Sequence, residues 1–110
     1  MAYGRAMIFI ETAVFTRQIT ALVNDDDYAD FQCELANDPE AGDVIPGTGG
    51  LRKIRMAAKS HGKRGGARVI YYYFTSASQI AFLLAYAKNE AENLTASQKK
   101  ALKQVIEQWS

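Results

Sequence analysis

The segment GGARVIYYYFTSASQIAFLLAY, residues 65–86, contains two predicted strands and the tight turn that joins them. Residues 67–74 are rich in β-branched and aromatic side chains, which favour strands, and residues 75–78 are typical of a turn. Residues 79–86 form the next predicted strand. This last strand is apolar on both of its faces, so the sequence predicts that other elements cover each side of it.

A third predicted strand precedes these two, at residues 51–57. Its side chains alternate, with Ile54 and Met56 on one face and Lys53 and Arg55 on the other. A basic, glycine-rich turn at residues 59–66 links it to the next strand. The three strands together predict an antiparallel meander.

Helical patterns lie on either side of the meander. After a predicted strand at residues 6–12, apolar residues recur at helical spacing from Phe15 to Val23. A second helix is predicted to begin at Asn24 or Asp25 and to end before Pro39. A closing helix begins at the capping-box pattern of residues 95–98. The predicted order is β-α-α-β-β-β-α, an α+β fold with a small antiparallel sheet of about four strands, two N-terminal helices and one C-terminal helix.

Length and composition indicate one soluble globular domain over residues 1–110, with 48% hydrophobic and 23% charged residues. No apolar run approaches the roughly 20 residues of a membrane span, and the first apolar stretch is too short for a secretory signal. Cys33 is the single cysteine, so no internal disulfide can form and a cytoplasmic location is expected. With one cysteine and one histidine, the chain cannot assemble a Cys/His zinc site.

The distribution of charge is more informative than the net charge of +1. Between Asp43 and Glu90 there is no acidic residue, and this interval holds eight cations; the first 43 residues instead hold nine acids and two arginines. A cationic block within strand-like sequence, close to four consecutive aromatic residues, predicts a surface for a polyanion, and RNA is the first candidate.

Four other features have a simpler structural interpretation. The loop at residues 47–50 resembles a phosphate cradle, but a strand rather than a helix follows it. Residues 25–27 are three aspartates that could bind a divalent cation, yet they suit the first turn of a helix. His61 could act as a general acid or base, although a solvated turn histidine is favoured. Cys33 is predicted to be a small buried thiol rather than a nucleophile.

The cations of the meander are predicted to converge. Lys53 and Arg55 share one strand face, Arg68 opens the neighbouring strand after two glycines, and Lys88 follows the third strand. Lysines that only confer solubility would be interleaved with acids, and these are not. A functional patch built from three adjacent strands is therefore favoured over an ordinary solvated surface.

Three motifs resemble the HigB branch of the RelE/ParE superfamily of bacterial toxins: GTGGLRKIR at residues 47–55, GKRGGARVIYYY at residues 62–73, and YAKNE at residues 86–90. The predicted order of elements is also similar to theirs, and the resemblance covers most of the chain. It implies a toxin of a type II toxin–antitoxin system, a ribosome-dependent mRNA endoribonuclease that inhibits translation.

The resemblance also implies roles for individual residues. In RelE-like toxins, cations of the central sheet hold the mRNA backbone and stabilise the phosphate during cleavage. The matching catalytic positions here are Lys53, Arg55, Arg68 and Lys88. Further RNA contacts are expected from Arg52, Lys59, Lys63, Arg64 and Tyr72. Asn89 stands where RelE has an arginine, and Thr95 or a neighbouring residue stands where RelE has a catalytic tyrosine. The general base therefore stays open among Tyr86, Lys88 and Glu90.

The expected chemistry is attack of a ribose 2′-hydroxyl on its own 3′-phosphate, with no cofactor and no metal, because cations neutralise the developing charge. The implied partners are a helix-turn-helix antitoxin of the HigA type, the ribosome with the rRNA around its A site, and mRNA; no membrane is involved. Two other functions stay open: a ParE-like toxin that inhibits gyrase, for which the basic sheet is a poor fit, and a non-catalytic RNA-binding module.

Overall fold

The structure, a computed structural model, describes residues 7–56, 66–87 and 94–109, which form five strands and three helices. The strands are β1 (Ile8–Glu11), β2 (Asp43–Val44), β3 (Arg52–Met56), β4 (Ala67–Phe74) and β5 (Gln79–Ala87). The helices are α1 (Ala13–Leu22), α2 (Asp25–Asn37) and α3 (Ala96–Trp109), and a single 3₁₀ turn at Thr75–Ala77 joins β4 to β5. The predicted α+β class and the order of helices and main strands are confirmed.

The sheet has the strand order β1-β5-β4-β3-β2 and is mixed rather than wholly antiparallel. β1 pairs with β5 in parallel, from Ile8 opposite Gln79 to Glu11 opposite Phe82. The sheet has five strands where about four were expected, and the expectation of a wholly antiparallel sheet is wrong for β1. β2 is only two residues long, too short to show alternation, and the direction of β1 depends on the path of two intervening helices, which periodicity does not report.

One face of the sheet packs against α1 and α2. Phe82 on β5 is the centre of this core, and its ring stacks between Phe15 of α1, with ring centroids 4.9 Å apart, and Phe9 of β1, at 5.5 Å. Burial of each large apolar side chain stabilises the fold by about 1.5–3 kcal/mol. Phe31 of α2 also meets the Phe82 ring, so this core ties both N-terminal helices to β5.

The opposite face packs against α3. Ile106 is buried there beside Ile70 of β4 and Leu83 of β5, and Leu102 and Trp109 are partly buried at its margin. β5 thus has helices on both sides, as its double-faced apolar sequence predicts. α3 covers the face at the end where Phe74 meets the Trp109 ring.

Beyond the last residue pair between β1 and β5, the side chains of Thr12 and Gln18 supply hydrogen-bond partners for the backbone of β5. The Thr12 hydroxyl donates to the Leu83 carbonyl at 3.1 Å, and the Ala85 N–H donates to Gln18 Oε1 at 2.9 Å. A register shift opposite Ile70 and Tyr71 places a bulge in β5 at this point. Because the backbone of β5 is held here, its final residues have a fixed direction.

The helix starts follow their predicted caps. Asn24 accepts from the Asp27 N–H, which places Asp25, Asp26 and Asp27 in the first turn of α2, where the helix dipole favours acids. The prediction of a buried Cys33 is wrong, because this residue is exposed. The buried stripe of α2 runs through Asp27, Phe31 and Leu35, and Cys33 lies two residues, about 200°, away from Phe31.

No helix within the described part of the chain is long and apolar enough to cross a membrane.

Candidate nucleic-acid interface

Three polar side chains form a row across the centre of the sheet. In the strand register, Arg55 of β3 lies opposite Arg68 of β4, and Arg68 lies opposite Tyr86 of β5. Residues directly opposite one another in antiparallel strands point to the same face and have Cβ atoms about 5 Å apart. We call these three residues the central row; it lies on the α3 face of the sheet, where Tyr86 packs at the margin of the α3 core.

Lys53 extends the central row along β3. It lies two residues before Arg55, so it shares the same face at a distance of about 7 Å. Its cross-strand neighbour on β4 is the buried Ile70, and on β2 it is Asp43. The structure therefore brings together three of the four predicted catalytic cations, with one acid at the edge of the sheet.

The surface around the central row is positively charged, because its strands β3, β4 and β5 together contain arginine and lysine but no acidic residue. Arg55 is exposed and Arg68 is half-buried, so two guanidinium groups from adjacent strands face solvent with no carboxylate in their own strands. Like charges placed directly opposite one another cost stability. An arrangement of this kind suits an anionic ligand that would relieve the repulsion, such as the phosphate of a nucleic acid.

Tyr86 adds a neutral hydroxyl beside these cations. Its hydroxyl oxygen is buried and makes no hydrogen bond to any described residue. Burial raises the pKa of Tyr86 above its usual value, and the positive charge of Arg68 opposes that rise. The phenol is therefore protonated at neutral pH and is suited to donate a hydrogen bond or a proton, rather than to accept one as a base.

Arg52 is used differently from its neighbours. Its guanidinium donates to the carbonyls of Glu40 at 3.1 Å and Gly42 at 2.7 Å and lies 3.8 Å from the Glu40 carboxylate. Alternation along β3 places it on the α1–α2 face together with Ile54 and Met56. Because its donors hold the loop before β2, Arg52 has a structural role, and the RNA contact that the sequence suggests for it stays a prediction.

The aromatic block of β4 is mainly structural. Tyr71 is fully buried; its hydroxyl donates to the Pro39 carbonyl at 2.8 Å and accepts from the Gly42 N–H at 2.9 Å. Tyr72 is half-buried and meets the Phe74 ring edge-on, with centroids 4.7 Å apart. A base-stacking role for Tyr72 stays a prediction, since its ring already packs at the edge of the α3 core.

The loop between β2 and β3 is rigid rather than a phosphate cradle. The buried Thr48 hydroxyl donates to the Ile45 carbonyl at 2.6 Å and accepts from the Leu51 N–H at 3.1 Å. The Ile45 N–H in turn donates to the Leu51 carbonyl at 2.8 Å. Gly47 and Gly49 adopt positive φ of 77° and 76°, which glycine accommodates without strain.

Seven residues singled out in the sequence lie outside the described residues: Lys59, His61, Lys63, Arg64, Lys88, Asn89 and Glu90. Among the described residues, no group of three His, Cys, Asp or Glu side chains is placed to hold a metal ion.

Sequence reasoning did not identify a small cleft at the end of the site. It lies between β2 and the start of α3, has a volume of about 240 Å³, and brings Lys53 together with Asp43 and Lys99. The available signal was the capping box: the Thr95 hydroxyl accepts from the Gln98 N–H, and Gln98 Oε1 accepts from the Thr95 N–H. This start of α3 places Lys99 in its first turn.

Comparison with known proteins agrees with this architecture. Among solved structures, a chain of the intact E. coli RelBE toxin–antitoxin complex is 15% identical with a TM-score of 0.58, and the match covers 80% of this chain and 100% of that chain. A double-arginine mutant of E. coli RelE in the free state is 14% identical with a TM-score of 0.60, with coverage of 88% and 97%. At these identities, the matches show a shared fold.

The isolated E. coli RelE toxin gives a similar result, with 13% identity, a TM-score of 0.56 and coverage of 91% of this chain and 99% of that chain. A family model described as the RelE toxin of the RelE/RelB toxin–antitoxin system matches residues 8–110, a range that includes every described strand and helix. The chain therefore belongs to the RelE toxin family, within the RelE/ParE superfamily.

Proposed function

We propose that this RelE-family toxin is an endoribonuclease that cleaves mRNA on the ribosome, in the cytoplasm, without a metal ion or other cofactor. The central row is the observation that carries this proposal: two guanidinium groups and one protonated phenol share one face of adjacent strands. A surface that only bound RNA would need the cations, but it would not need a buried hydroxyl placed beside them.

The proposed reaction breaks the phosphodiester bond without water. The ribose 2′-oxygen attacks the adjacent 3′-phosphorus, the bond from phosphorus to the 5′-oxygen breaks, and the products are a 2′,3′-cyclic phosphate and a 5′-hydroxyl end. Negative charge grows on the non-bridging oxygens in the transition state. Arg68, with a planar pair of donors, holds one of these oxygens, while Arg55 and Lys53 hold the backbone on either side.

Two protons must move in this reaction. Tyr86, which is protonated at neutral pH, donates to the leaving 5′-oxygen or to a non-bridging oxygen. The 2′-hydroxyl loses its proton to a base that we place at Lys88 or Glu90, which follow the last residue of β5 in the chain. Because the described residues supply charge but no acid–base pair, binding on the ribosome must align the 2′-oxygen with the phosphorus.

The test is cleavage in a translating extract, read by primer extension and by the chemistry of the new ends. The wild-type chain is expected to cut translated mRNA within codons and to leave cyclic phosphate ends, whereas purified RNA of the same sequence stays intact. Lys100→Ala, on the exposed face of α3, is the matched control that removes a cation elsewhere. Uncut mRNA together with inhibited DNA gyrase would favour the ParE-like function instead.

We further propose that the toxin is neutralised by a cognate antitoxin of the helix-turn-helix, HigA-like kind; the E. coli relative was crystallised as a toxin–antitoxin complex. The acidic helix α2 is the proposed contact, because it offers exposed carboxylates that a basic partner would complement. The double change Asp26→Lys with Asp30→Lys should weaken the complex, and Lys53→Glu should leave it intact. The reverse pattern would place the antitoxin over the catalytic face.

A further inference from the structure

The cleft beside Lys53 has features that the proposed cleavage reaction does not use. Its walls are the apolar side chains of Val44, Ile45, Pro46 and Leu94, and its polar groups are Asp43, Lys53 and Lys99. Its volume of about 240 Å³ is below the roughly 300–1,000 Å³ of sites that enclose whole drug-sized ligands. A flat apolar group of the size of one nucleobase, with a charged group at the opening, matches this space.

The charges of the cleft select a phosphate rather than a cation. Lys53 comes from β3 and Lys99 from the first turn of α3, so two lysines from different elements line the cleft. Asp43 is the one acid in the lining, opposite Lys53 in the strand register. The balance is one net positive charge around an apolar floor.

The cleft is also formed before any ligand binds. Thr48 fixes the loop that carries Ile45 and Pro46 through two hydrogen bonds, and its side chain is only 2% exposed. The reciprocal hydrogen bonds of Thr95 and Gln98 fix the start of α3. Val44, at the sheet edge, stays 52% exposed and offers an apolar surface to a ligand. Binding to such a site therefore carries little cost in conformational entropy.

We propose that this cleft binds the nucleotide next to the cleaved phosphate, and that Asp43 selects its base. The inference rests on the proposed function, because Lys53 belongs to both sites. Lys99 and Lys53 hold the phosphate of that nucleotide, and Val44 and Pro46 pack against the base. The Asp43 carboxylate accepts hydrogen bonds from an exocyclic amino group, which guanine, adenine and cytosine carry and uracil lacks.

Lys99→Ala is the first variant that tests this, with Lys100→Ala as its control on the same helix turn. Both remove one lysine from α3, but only Lys99 lines the cleft. Affinity is measured with programmed ribosomes that carry a short 2′-O-methyl mRNA, which cannot be cleaved. Loss of a hydrogen bond to a charged group predicts about tenfold weaker binding for Lys99→Ala and little change for Lys100→Ala. Equal affinities of the two variants would overturn the proposal.

The second variant, Asp43→Asn, tests the selection of the base. Cleavage is compared on mRNAs that differ only at the base after the cut, with uracil against cytosine. Wild type is expected to prefer cytosine by about tenfold, and Asp43→Asn should remove most of that preference, while Glu107→Gln, a change at an exposed acid of α3, should keep it. An unchanged preference in Asp43→Asn would contradict the assignment of Asp43.

The same variants separate this inference from the proposed function. If wild type binds the uncleavable mRNA and Lys99→Ala binds more weakly, the subsite stands even if no mRNA is cut. If wild type cuts mRNA and Lys99→Ala matches wild type in binding and rate, the subsite fails and the proposed function stands. Weakened antitoxin binding by Lys99→Ala, with RNA affinity intact, would assign the cleft to the antitoxin and overturn the proposal.

Discussion

Replacement of Arg68 by alanine should abolish most cleavage while the domain stays folded. Arg68 lies at the centre of the row, between Arg55 and Tyr86, and it is half-buried. Loss of a donor that stabilises transition-state charge lowers kcat by about 100- to 1,000-fold. Arg68→Lys keeps the charge but not the paired donors, so its rate should be intermediate.

The stability of the Arg68→Ala protein follows from the same geometry. The change removes some packing of the half-buried side chain, but it also removes a like-charge contact with Arg55, which is worth about 0.2–1 kcal/mol. The two effects oppose one another, so the free energy of unfolding should change by less than about 1 kcal/mol and Tm by less than about 4 °C. The pKa of Tyr86 should rise further, because the Arg68 charge that lowers it is gone.

Three measurements check this reasoning. Single-turnover cleavage on programmed ribosomes gives the rate, thermal unfolding gives Tm, and NMR of ring-labelled tyrosine gives the pKa of Tyr86. A folded Arg68→Ala protein with the wild-type rate would refute the catalytic assignment. A variant that has lost its cooperative unfolding transition would instead show that Arg68 supports the sheet, and the pKa shift of Tyr86 distinguishes a local electrostatic change from a general loosening.

Two further predictions concern stability. Tyr71→Phe removes the donor to Pro39 and the acceptor for the Gly42 N–H, so we expect a loss of about 2 kcal/mol in urea unfolding; a loss below about 0.5 kcal/mol would show that water replaces both bonds. Burial and the hydrogen bond to Glu11 raise the pKa of Tyr28, so its contribution to stability is full below about pH 10 and is lost as the pH rises towards its folded-state pKa. Tm should therefore fall above about pH 10, and less steeply in Tyr28→Phe; parallel curves for the two proteins would contradict this.

The meander and the helices could be predicted from the sequence because their signals are local. The capping residues Asn24 and Thr95, and the alternation from Lys53 to Met56, each act over a few residues, and the structure has them where these patterns place them. The convergence of Lys53, Arg55 and Arg68 on one face also follows from alternation and antiparallel pairing. The parallel direction of β1 and the presence of the edge strand β2 do not follow from local patterns, because both depend on contacts between distant residues.

Some individual residues lie elsewhere than the sequence predicts, and these differences also have physical causes. Charge alone groups Arg52 with Lys53 and Arg55. Strand alternation instead places Arg52 on the face of Ile54, opposite to the face that carries Lys53 and Arg55. Helical spacing with Ala29 and Ala36 suggests a buried position for Cys33, but the buried stripe of α2 runs through Phe31 and Leu35 and leaves Cys33 exposed. The cleft is lined by residues between 43 and 53 and by Leu94 and Lys99, which are distant in sequence, so no short sequence window contains all of it.

The parallel pairing of β1 with β5 has a consequence for the order in which the chain folds. Thr12 bonds to Leu83 across 71 residues, and the aromatic core forms only when Phe82 reaches Phe9 and Phe15. Long-range pairing of this kind slows folding, because the chain must close a large loop before the contacts can form. Within the described sheet, β1 pairs with no strand other than β5, so during synthesis β1 stays without a strand partner until β5 has left the ribosome.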